Sequence, residues 1–126
     1  MKILIVDDSD FSRNTMRRFF ADMTEVQIAE AANGIEALEQ HRTFQPDVIF
    51  LDVTMPYLDG AATLRILRKI DSQVLIIMAT ALAGQQYLCN EFIALGIDGL
   101  LMKPITRDVA LNAFLSAIRA KREVTP

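Results

Sequence analysis

The chain has 126 residues, 52% of them hydrophobic and 23% charged, a balance that indicates one globular domain. Its formal net charge of −3 argues against the basic surface of a nucleic-acid-binding protein. The one cysteine, Cys89, excludes an internal disulfide and fits a reducing cytosol. No apolar stretch reaches the ~20 residues that a membrane span needs. The apolar start is too short for a signal peptide, so we expect a cytoplasmic protein with neither a nucleic-acid nor a membrane partner.

Five short apolar runs alternate with five helical patterns. The predicted strands are Ile3–Val6, Glu25–Glu30, Val48–Leu51, Val74–Met78 and Gly99–Met102. Strands that alternate with helices predict right-handed crossovers and a mainly parallel, doubly wound α/β sheet. The second run alternates apolar and polar residues as an edge strand does, whereas the first, third and fourth are continuously apolar. This pattern favours the strand order 2-1-3-4-5. Because the sequence contains no linker and no internal repeat, we predict that residues 1–126 form one domain.

Apolar residues at helical spacing, preceded by capping residues, predict the helices. Ser9, Asn33 and Thr106 are the expected N-caps of the first, second and fifth helices, with Glu36 completing a capping box. Gly96 is the expected C-terminal stop of the fourth. The residues expected to face the core are Met16, Phe19, Phe20 and Met23 in the first helix, Thr63, Ile66, Leu67 and Ile70 in the third, Cys89, Phe92, Ile93 and Gly96 in the fourth, and Ala110, Ala113, Phe114 and Ala117 in the fifth.

The third predicted strand is followed by a single carboxylate, Asp52, before Pro56 and Asp59-Gly60 impose a turn. In open parallel sheets, ligands bind in the crevice outside the carboxyl ends of the strands. Other polar residues are expected at this edge, because they follow or end the first, fourth and fifth strands: Asp7-Asp8, Thr80-Ala81 and Lys103-Pro104. The sequence therefore predicts a polar site at the carboxyl edge of the sheet.

Three carboxylates, a hydroxyl and an amine at one edge define a particular chemistry. Clustered carboxylates repel one another unless a cation is present, and hard oxygen ligands suit Mg²⁺. A carboxylate can also act as a nucleophile and form an aspartyl phosphate, with a metal ion and a lysine neutralising the phosphoryl oxygens. Lys103 is a mobile point charge suited to a phosphoryl group, and Thr80 can donate a hydrogen bond to the same group.

This combination of residues resembles the receiver domains of two-component response regulators. The matching residues are Asp7-Asp8, Asp52 with Met55-Pro56 and Asp59-Gly60, Thr80-Ala81, and Lys103-Pro104. The resemblance covers about residues 2 to 120, and its four parts occur in order at predicted strand ends. It implies a flavodoxin-like fold with five parallel strands and five helices. Because the sequence ends soon after the fifth helix, we expect a stand-alone regulator of the chemotaxis type, without an output domain.

The resemblance implies a role for each residue of the acidic site. Asp52 is the implied phosphoacceptor, which takes a phosphoryl group from the histidine of a sensor kinase or a histidine phosphotransfer protein. Asp8 and Asp52, with the backbone carbonyl of Thr54 and with Asp7 acting through water, are the implied Mg²⁺ ligands. Such a protein is a switch rather than an enzyme, with at most slow hydrolysis of its own acyl phosphate.

The resemblance also implies a switch built on Thr80 and Lys103. Thr80 is the implied switch hydroxyl, Lys103 the implied partner of the phosphoryl group, and the bond between Lys103 and Pro104 is implied to be cis. Receivers commonly carry an aromatic residue three positions before the lysine, where this chain has Leu100, so we expect the output surface to be altered or read by packing. Leu82 has no polar group to orient a hydrolytic water, so we expect a phosphoryl lifetime longer than seconds.

Alternatives remain open for the fifth helix and for the function. Leu111, Leu115 and Ile118 form a second apolar line, which is either part of a broad buried face or a docking face. In the second case this line, with the fourth helix and the fifth strand, would bind a downstream protein or a second copy of the chain in a homodimer. The alternative functions are a degenerate receiver acting as a constitutive interaction module, and a haloacid-dehalogenase-like phosphohydrolase. Such hydrolases need a second acid where this chain has Thr54.

Overall fold

The computed structural model describes residues 1–81 and 86–124, without the side chains of residues 86–89 and 124. Five strands and five helices alternate: β1 (Lys2–Val6), α1 (Asp10–Phe19), β2 (Gln27–Ala31), α2 (Gly34–Phe44), β3 (Val48–Asp52), α3 (Gly60–Ile70), β4 (Leu75–Thr80), α4 (Gln86–Leu95), β5 (Gly99–Met102) and α5 (Arg107–Val124). All strand pairs are parallel and the order is β2-β1-β3-β4-β5. The predicted fold and strand order are confirmed.

Helices cover both faces of the sheet. On the face covered by α1 and α5, Phe20 contacts Phe50 and Phe114, with ring centroids 5.6 and 5.2 Å apart. On the opposite face, Leu67 of α3 and Phe92 of α4 belong to the second apolar cluster. Every residue of β3 and β4 is buried, as expected for central strands with helices on both sides. The carboxyl ends of these strands are therefore held in a rigid frame.

The predicted helix-capping residues agree with the structure. The side chains of Ser9, Asn33 and Thr106 each accept a hydrogen bond from the amide three residues later, at 3.2, 2.9 and 3.3 Å. Glu36 accepts a bond at 3.1 Å from the amide of the residue before the Asn33 cap. Gly96, at φ +93°, follows the last residue of α4, as expected for a glycine stop. Local capping chemistry therefore fixes where these helices start and stop.

Several predicted element boundaries differ from the structure. The strand β1 begins one residue earlier than predicted, β2 and β3 end one residue later, and β4 spans Leu75–Thr80 and not Val74–Met78. The strand β2 begins at Gln27 and not at Glu25, because residues 23–26 form a turn closed by a bond of 3.3 Å from the Val26 amide to the Met23 carbonyl. Met23 lies beyond α1, which ends at Phe19, because the bonds after the helix join residues three apart, as from the Met23 amide to the Phe20 carbonyl at 3.0 Å. The side chain of Met23 still packs against the core from that turn, so its apolar character indicated burial correctly but not helix length.

The inward face of α3 also differs from the prediction. Ile66 and Ile70 are 36% and 59% exposed, whereas Thr63, Leu64 and Leu67 are fully buried. Close packing of Gly60, the first residue of α3, against the backbone of β3 rotates this helix so that the face of Gly60 and Leu64 meets the sheet. On α4, the prediction is wrong for Ile93, which is 62% exposed, and is confirmed for Phe92, which is buried. The side chain of Cys89 lies outside the described residues.

The fifth helix buries the residues predicted for it. Ala110, Phe114 and Ala117 are buried and Ala113 is half-buried. Of the second apolar line, Leu111 and Ile118 pack against the core and Leu115 is 46% exposed. The broad buried face therefore accounts for two of the three residues. No helix in the described part of the chain is long and apolar enough to cross a membrane.

A side-chain hydrogen bond connects α2 to the residue after α3 at the edge opposite the carboxyl ends of the strands. His41 is buried in the last turn of α2, and its Nε2 lies 2.8 Å from Oδ2 of Asp71, which follows α3. The other oxygen of Asp71 accepts bonds from the amides of Gln73 and Val74 at 2.9 and 3.0 Å. Partial burial raises the pKa of Asp71, but the hydrogen bonds from His41 and from the two amides together lower it by more. The net pKa therefore lies below its usual value.

We expect Asp71→Asn to lower the free energy of unfolding by about 1–2 kcal/mol at pH 6, because it removes a charge-assisted bond to a buried partner. Since folding lowers the pKa of Asp71 from 3.8, its contribution is complete above that value and is lost as the pH falls through the lower folded pKa. Urea unfolding of both proteins from pH 6 to pH 3 should therefore give a difference that shrinks below about pH 4. Glu39→Gln, at an exposed position on α2, is the control; a difference independent of pH would contradict the prediction.

Candidate functional site

Three acidic side chains meet at the carboxyl edge of the sheet, as predicted. β1 and β3 are neighbours, and their registered residues bring Asp7 and Asp8 next to Asp52. One carboxylate oxygen from each of the three lies within 4.8 Å of the other two. Asp7 and Asp52 are 8% and 5% exposed, while Asp8 lies at the surface. Two of the three charges are therefore held out of water, where repulsion between them is strong.

Lys103 supplies the positive charge of the site. Its Nζ lies 3.1 Å from Oδ1 of Asp52 and 3.3 Å from Oδ2 of Asp7. The Lys103 amide donates a bond of 2.8 Å to the carbonyl of Thr80, which joins the ends of β5 and β4. The peptide bond between Lys103 and Pro104 is cis, as the resemblance implied. The lysine thus bridges both buried carboxylates from the neighbouring edge of the sheet.

Burial and neighbouring charges set the pKa values of Asp52 and Lys103. Burial raises the pKa of the Asp52 carboxyl, Lys103 opposes this, and the nearby charges of Asp7 and Asp8 raise it again, so that the net pKa is above its usual value. Burial lowers the pKa of Lys103, but its bonds and attraction to Asp52 and Asp7 outweigh this and raise it. One lysine therefore does not fully compensate three carboxylates.

The donor set fits a magnesium ion. Carboxylate oxygens are the ligands that Mg²⁺ prefers, and it usually keeps several waters, which suits a site open on one side. Oδ1 of Asp7 accepts a bond of 2.9 Å from the Ser9 amide, and its Oδ2 faces Lys103. Both oxygens of Asp7 therefore have protein partners, and the assignment of Asp8 and Asp52 as direct ligands and of Asp7 as a ligand through water stays a prediction.

The remaining predicted site residues lie nearby. Thr80 is the last residue of β4, is 2% exposed, and follows Ala79, which pairs with Asp52 in the sheet. Thr54 lies two residues after Asp52 and is exposed. The roles of the Thr80 hydroxyl and of the Thr54 carbonyl stay predictions, and Leu82 lies outside the described residues.

The loop between β3 and α3 is folded tightly behind Asp52. The Gly60 amide donates a bond of 2.9 Å to the Val53 carbonyl, and Asp59 caps α3 through a bond of 2.9 Å from the Ala62 amide. A Cβ atom on Gly60 would lie 2.2 Å from the Asp52 carbonyl oxygen. Only glycine fits this close approach, so Gly60 fixes the backbone that carries Asp52.

A cavity of about 480 Å³ opens beside Asp52 and Lys103, and sequence analysis did not predict it. Its walls are mostly apolar side chains of α1, the sheet and the segment after β5, including Phe11, Met16, Phe19, Phe50 and Ile105. The helical pattern assigned Met16 and Phe19 to the core. The sequence offered one signal, because Phe11 is a large apolar residue outside the predicted core-facing residues of α1. In the structure it is 80% exposed.

Comparison with known proteins agrees with this geometry. The family model described as the response regulator receiver domain matches residues 3–115. The chemotaxis protein CheY of Bacillus subtilis is 37% identical over 112 residues, which cover 89% of this chain and 92% of that protein. The CheY of Halobacterium salinarum is 33% identical, over 94% of this chain and 98% of that protein.

Solved structures give the same result. In a crystal structure from Borrelia burgdorferi of a complex of CheX, CheY, BeF₃ and Mg²⁺, a chain matches with a TM-score of 0.87 and 30% identity, covering 94% of this chain and 89% of that chain. This chain belongs to the response regulator receiver domain family, and its fold is the flavodoxin-like fold of CheY. Members of this family are phosphoacceptor switches rather than enzymes of the usual kind, and they bind Mg²⁺ at an acidic pocket.

We expect Gly60→Ala to lower the free energy of unfolding by about 2–3 kcal/mol, because the added methyl group must displace the backbone of Asp52. Urea denaturation measures this change. Gly99→Ala is the matched control, since a Cβ atom there would lie 3.3 Å from a methyl group of Ile77 and should cost less than about 1 kcal/mol. Equal effects of the two substitutions would show that the approach to Asp52 is not tight.

We expect Asp52→Asn to raise the melting temperature of the metal-free protein at pH 7 by roughly 4 °C, equivalent to about 1 kcal/mol. The physical reason is the raised pKa of Asp52, which means that the folded state disfavours its charged form. Differential scanning calorimetry in EDTA measures the change. Asp47→Asn, at the opposite edge of the sheet, is the control for loss of a negative charge; a fall in the Asp52→Asn melting temperature would contradict the prediction.

Proposed function

We propose that this chain is a stand-alone, cytoplasmic response regulator in which Asp52 accepts a phosphoryl group from a partner's histidine in a Mg²⁺-dependent reaction. The partner is a sensor histidine kinase or a histidine phosphotransfer protein. The observation that carries the proposal is the contact of 3.1 Å between Lys103 Nζ and a buried Asp52 whose oxygen lies within 4.8 Å of those of Asp7 and Asp8. The coverage of 98% and 92% of two chemotaxis proteins CheY supports a regulator of the same kind.

The residues present can perform this transfer. A carboxylate oxygen of Asp52 attacks phosphorus, the bond from phosphorus to the partner's imidazole nitrogen breaks, and the electron pair returns to that nitrogen. A magnesium ion held by Asp8, Asp52 and the Thr54 carbonyl, with Asp7 acting through water, would neutralise charge on the phosphoryl oxygens. Lys103 already contacts the attacking carboxylate of Asp52 and can transfer its hydrogen bond from the carboxylate to the phosphoryl group.

The energy available is sufficient for a switch. A phosphoryl group adds about −1.5 to −2 charges, and each charge-assisted hydrogen bond contributes roughly 1.5–3 kcal/mol. Reversing a population from 1:99 to 99:1 needs about 5.5 kcal/mol of differential interaction. New bonds from the Thr80 hydroxyl and from one backbone amide, with the stronger attraction of Lys103 to the more highly charged phosphoryl group, reach this range together. Hydrolysis of the product by water is expected to be slow.

The proposed output surface comprises the exposed apolar residues of α4, β5 and α5. They are Ile93, Met102, Val109 and Leu115, between 45% and 62% exposed. Exposed apolar side chains of this kind support binding of a downstream protein. A second copy of the chain is the competing occupant, and a change of mass on gel filtration after phosphorylation would distinguish it.

The test is intact-mass spectrometry after incubation with Mg²⁺ and a small-molecule phosphodonor. We expect one added phosphoryl group on the wild-type chain, and none on Asp52→Asn or in the presence of EDTA. Asp59→Asn, which keeps an oxygen to cap α3 and lies outside the acidic cluster, should still be phosphorylated. A folded, Mg²⁺-binding wild type without any adduct would exclude Asp52 as phosphoacceptor and favour an interaction module that is not phosphorylated.

A further inference from the structure

The side chain of Arg13 in α1 links three separate parts of the molecule. Its guanidinium group donates to the backbone carbonyl of Asp7, to Oε1 of Glu30 at 3.1 Å, and to a carboxylate oxygen of Asp10. The Arg13 side chain is only 13% exposed, although it belongs to a surface helix. An arginine with several acceptors in fixed positions holds them in a defined arrangement.

The bond to the Asp7 carbonyl bears directly on the metal site. This oxygen belongs to the planar peptide group that joins Asp7 to Asp8, so fixing it fixes the rotation of that plane. The peptide group on the other side of Asp7 is held by a bond of 3.1 Å from the Asp7 amide to the Ala31 carbonyl. These two planes set the backbone at Asp7, and the peptide group on the far side of Asp8 is held by a bond of 2.9 Å from the Ser9 amide to Oδ1 of Asp7. With the planes on both sides of Asp8 held, the direction in which its side chain leaves the backbone is set.

We propose that Arg13 is a positioning residue for the metal site: its bond to the Asp7 carbonyl orients the peptide group that aims Asp8 at Asp52. The inference rests on the proposed function, because it concerns affinity for the ion at the same acidic site. Arg13 touches neither the ion nor the reacting atoms. Its effect is exerted through the backbone that carries two of the three carboxylates.

Electrostatics and positioning predict opposite effects of removing this side chain. The guanidinium charge is balanced by Glu30 and Asp10, and Arg17 also pairs with Glu30 at 2.8 Å. Loss of Arg13 would leave the carboxylate of Asp10 unbalanced near the site, which by charge alone would attract a cation more strongly. Weaker metal binding after loss of Arg13 can therefore not be attributed to charge.

The experiment measures the dissociation constant of Mn²⁺, read as free ion by electron paramagnetic resonance at 25 °C, for the metal-free wild-type chain and two variants. We expect Arg13→Ala to raise this constant about tenfold, the lower end of what loss of an orienting group costs a metal site. Arg17→Ala is the matched control, because within the described part of the chain Arg17 bonds to Glu30 and has no bond to Asp7. It should leave the constant within twofold of the wild-type value.

Arg13→Lys keeps the charge but has one ammonium group for three acceptors, so we expect a constant between those of wild type and Arg13→Ala. If Arg13→Ala does not fold, Arg13→Lys is the deciding variant. An increase of its dissociation constant by threefold or more supports the proposal, and an unchanged constant overturns it. An unchanged or lower constant in a folded Arg13→Ala also overturns it. A wild-type chain that binds no Mn²⁺ would instead overturn the metal site of the proposed function.

Discussion

Buried negative charge at the carboxyl edge of the sheet is the constraint on which the rest of the site depends. Asp52 and Asp7 are nearly inaccessible to water, and Lys103 contacts both of them. Burial of a carboxylate is costly unless it is paired and hydrogen-bonded. Burial and the nearby charges of Asp7 and Asp8 raise the pKa of Asp52 more than Lys103 lowers it. The excess negative charge explains why this edge suits a divalent cation, which could in turn hold an incoming phosphoryl group. It also explains why the Asp52 carboxylate is expected to lower stability when no cation is bound.

The surrounding fold keeps this costly arrangement in place. Every residue of β3 is buried, Val48–Leu51 pair with both β1 and β4, and Asp52 pairs with Ala79 of β4. Asp52 therefore cannot relax into solvent without disturbing the centre of the sheet. Gly60 blocks movement of the Asp52 backbone from behind, and Arg13 and Ser9 hold Asp7 from the side of α1. Rigid central strands and short capped loops therefore provide the support that a preorganised site needs.

Sequence analysis was correct for features that follow from the residue pattern within single elements and from the general geometry of parallel sheets. Strand order followed from the distribution of apolar residues, and the N-caps from single residues beside each helix. The convergence of Asp52 and Lys103 followed because parallel strands end at one edge. Ile66 was placed wrongly because the rotation of α3 depends on how Gly60 meets the backbone of β3, a contact between elements that periodicity does not encode. The same holds for Arg13, whose partner Glu30 lies on another element.

The position of Lys103 explains how the proposed switch can reach a distant surface. β5 is an edge strand of four residues that pairs with β4 alone, so it is held by fewer bonds than the central strands. Lys103 follows this strand directly, is bonded through its amide to Thr80, and is preceded by Met102, which is 45% exposed. A phosphoryl group on Asp52 that attracts Lys103 and Thr80 therefore acts on the ends of β4 and β5 together. Because the proposed output surface includes β5, the least constrained strand of the sheet lies between the phosphoacceptor and the partner.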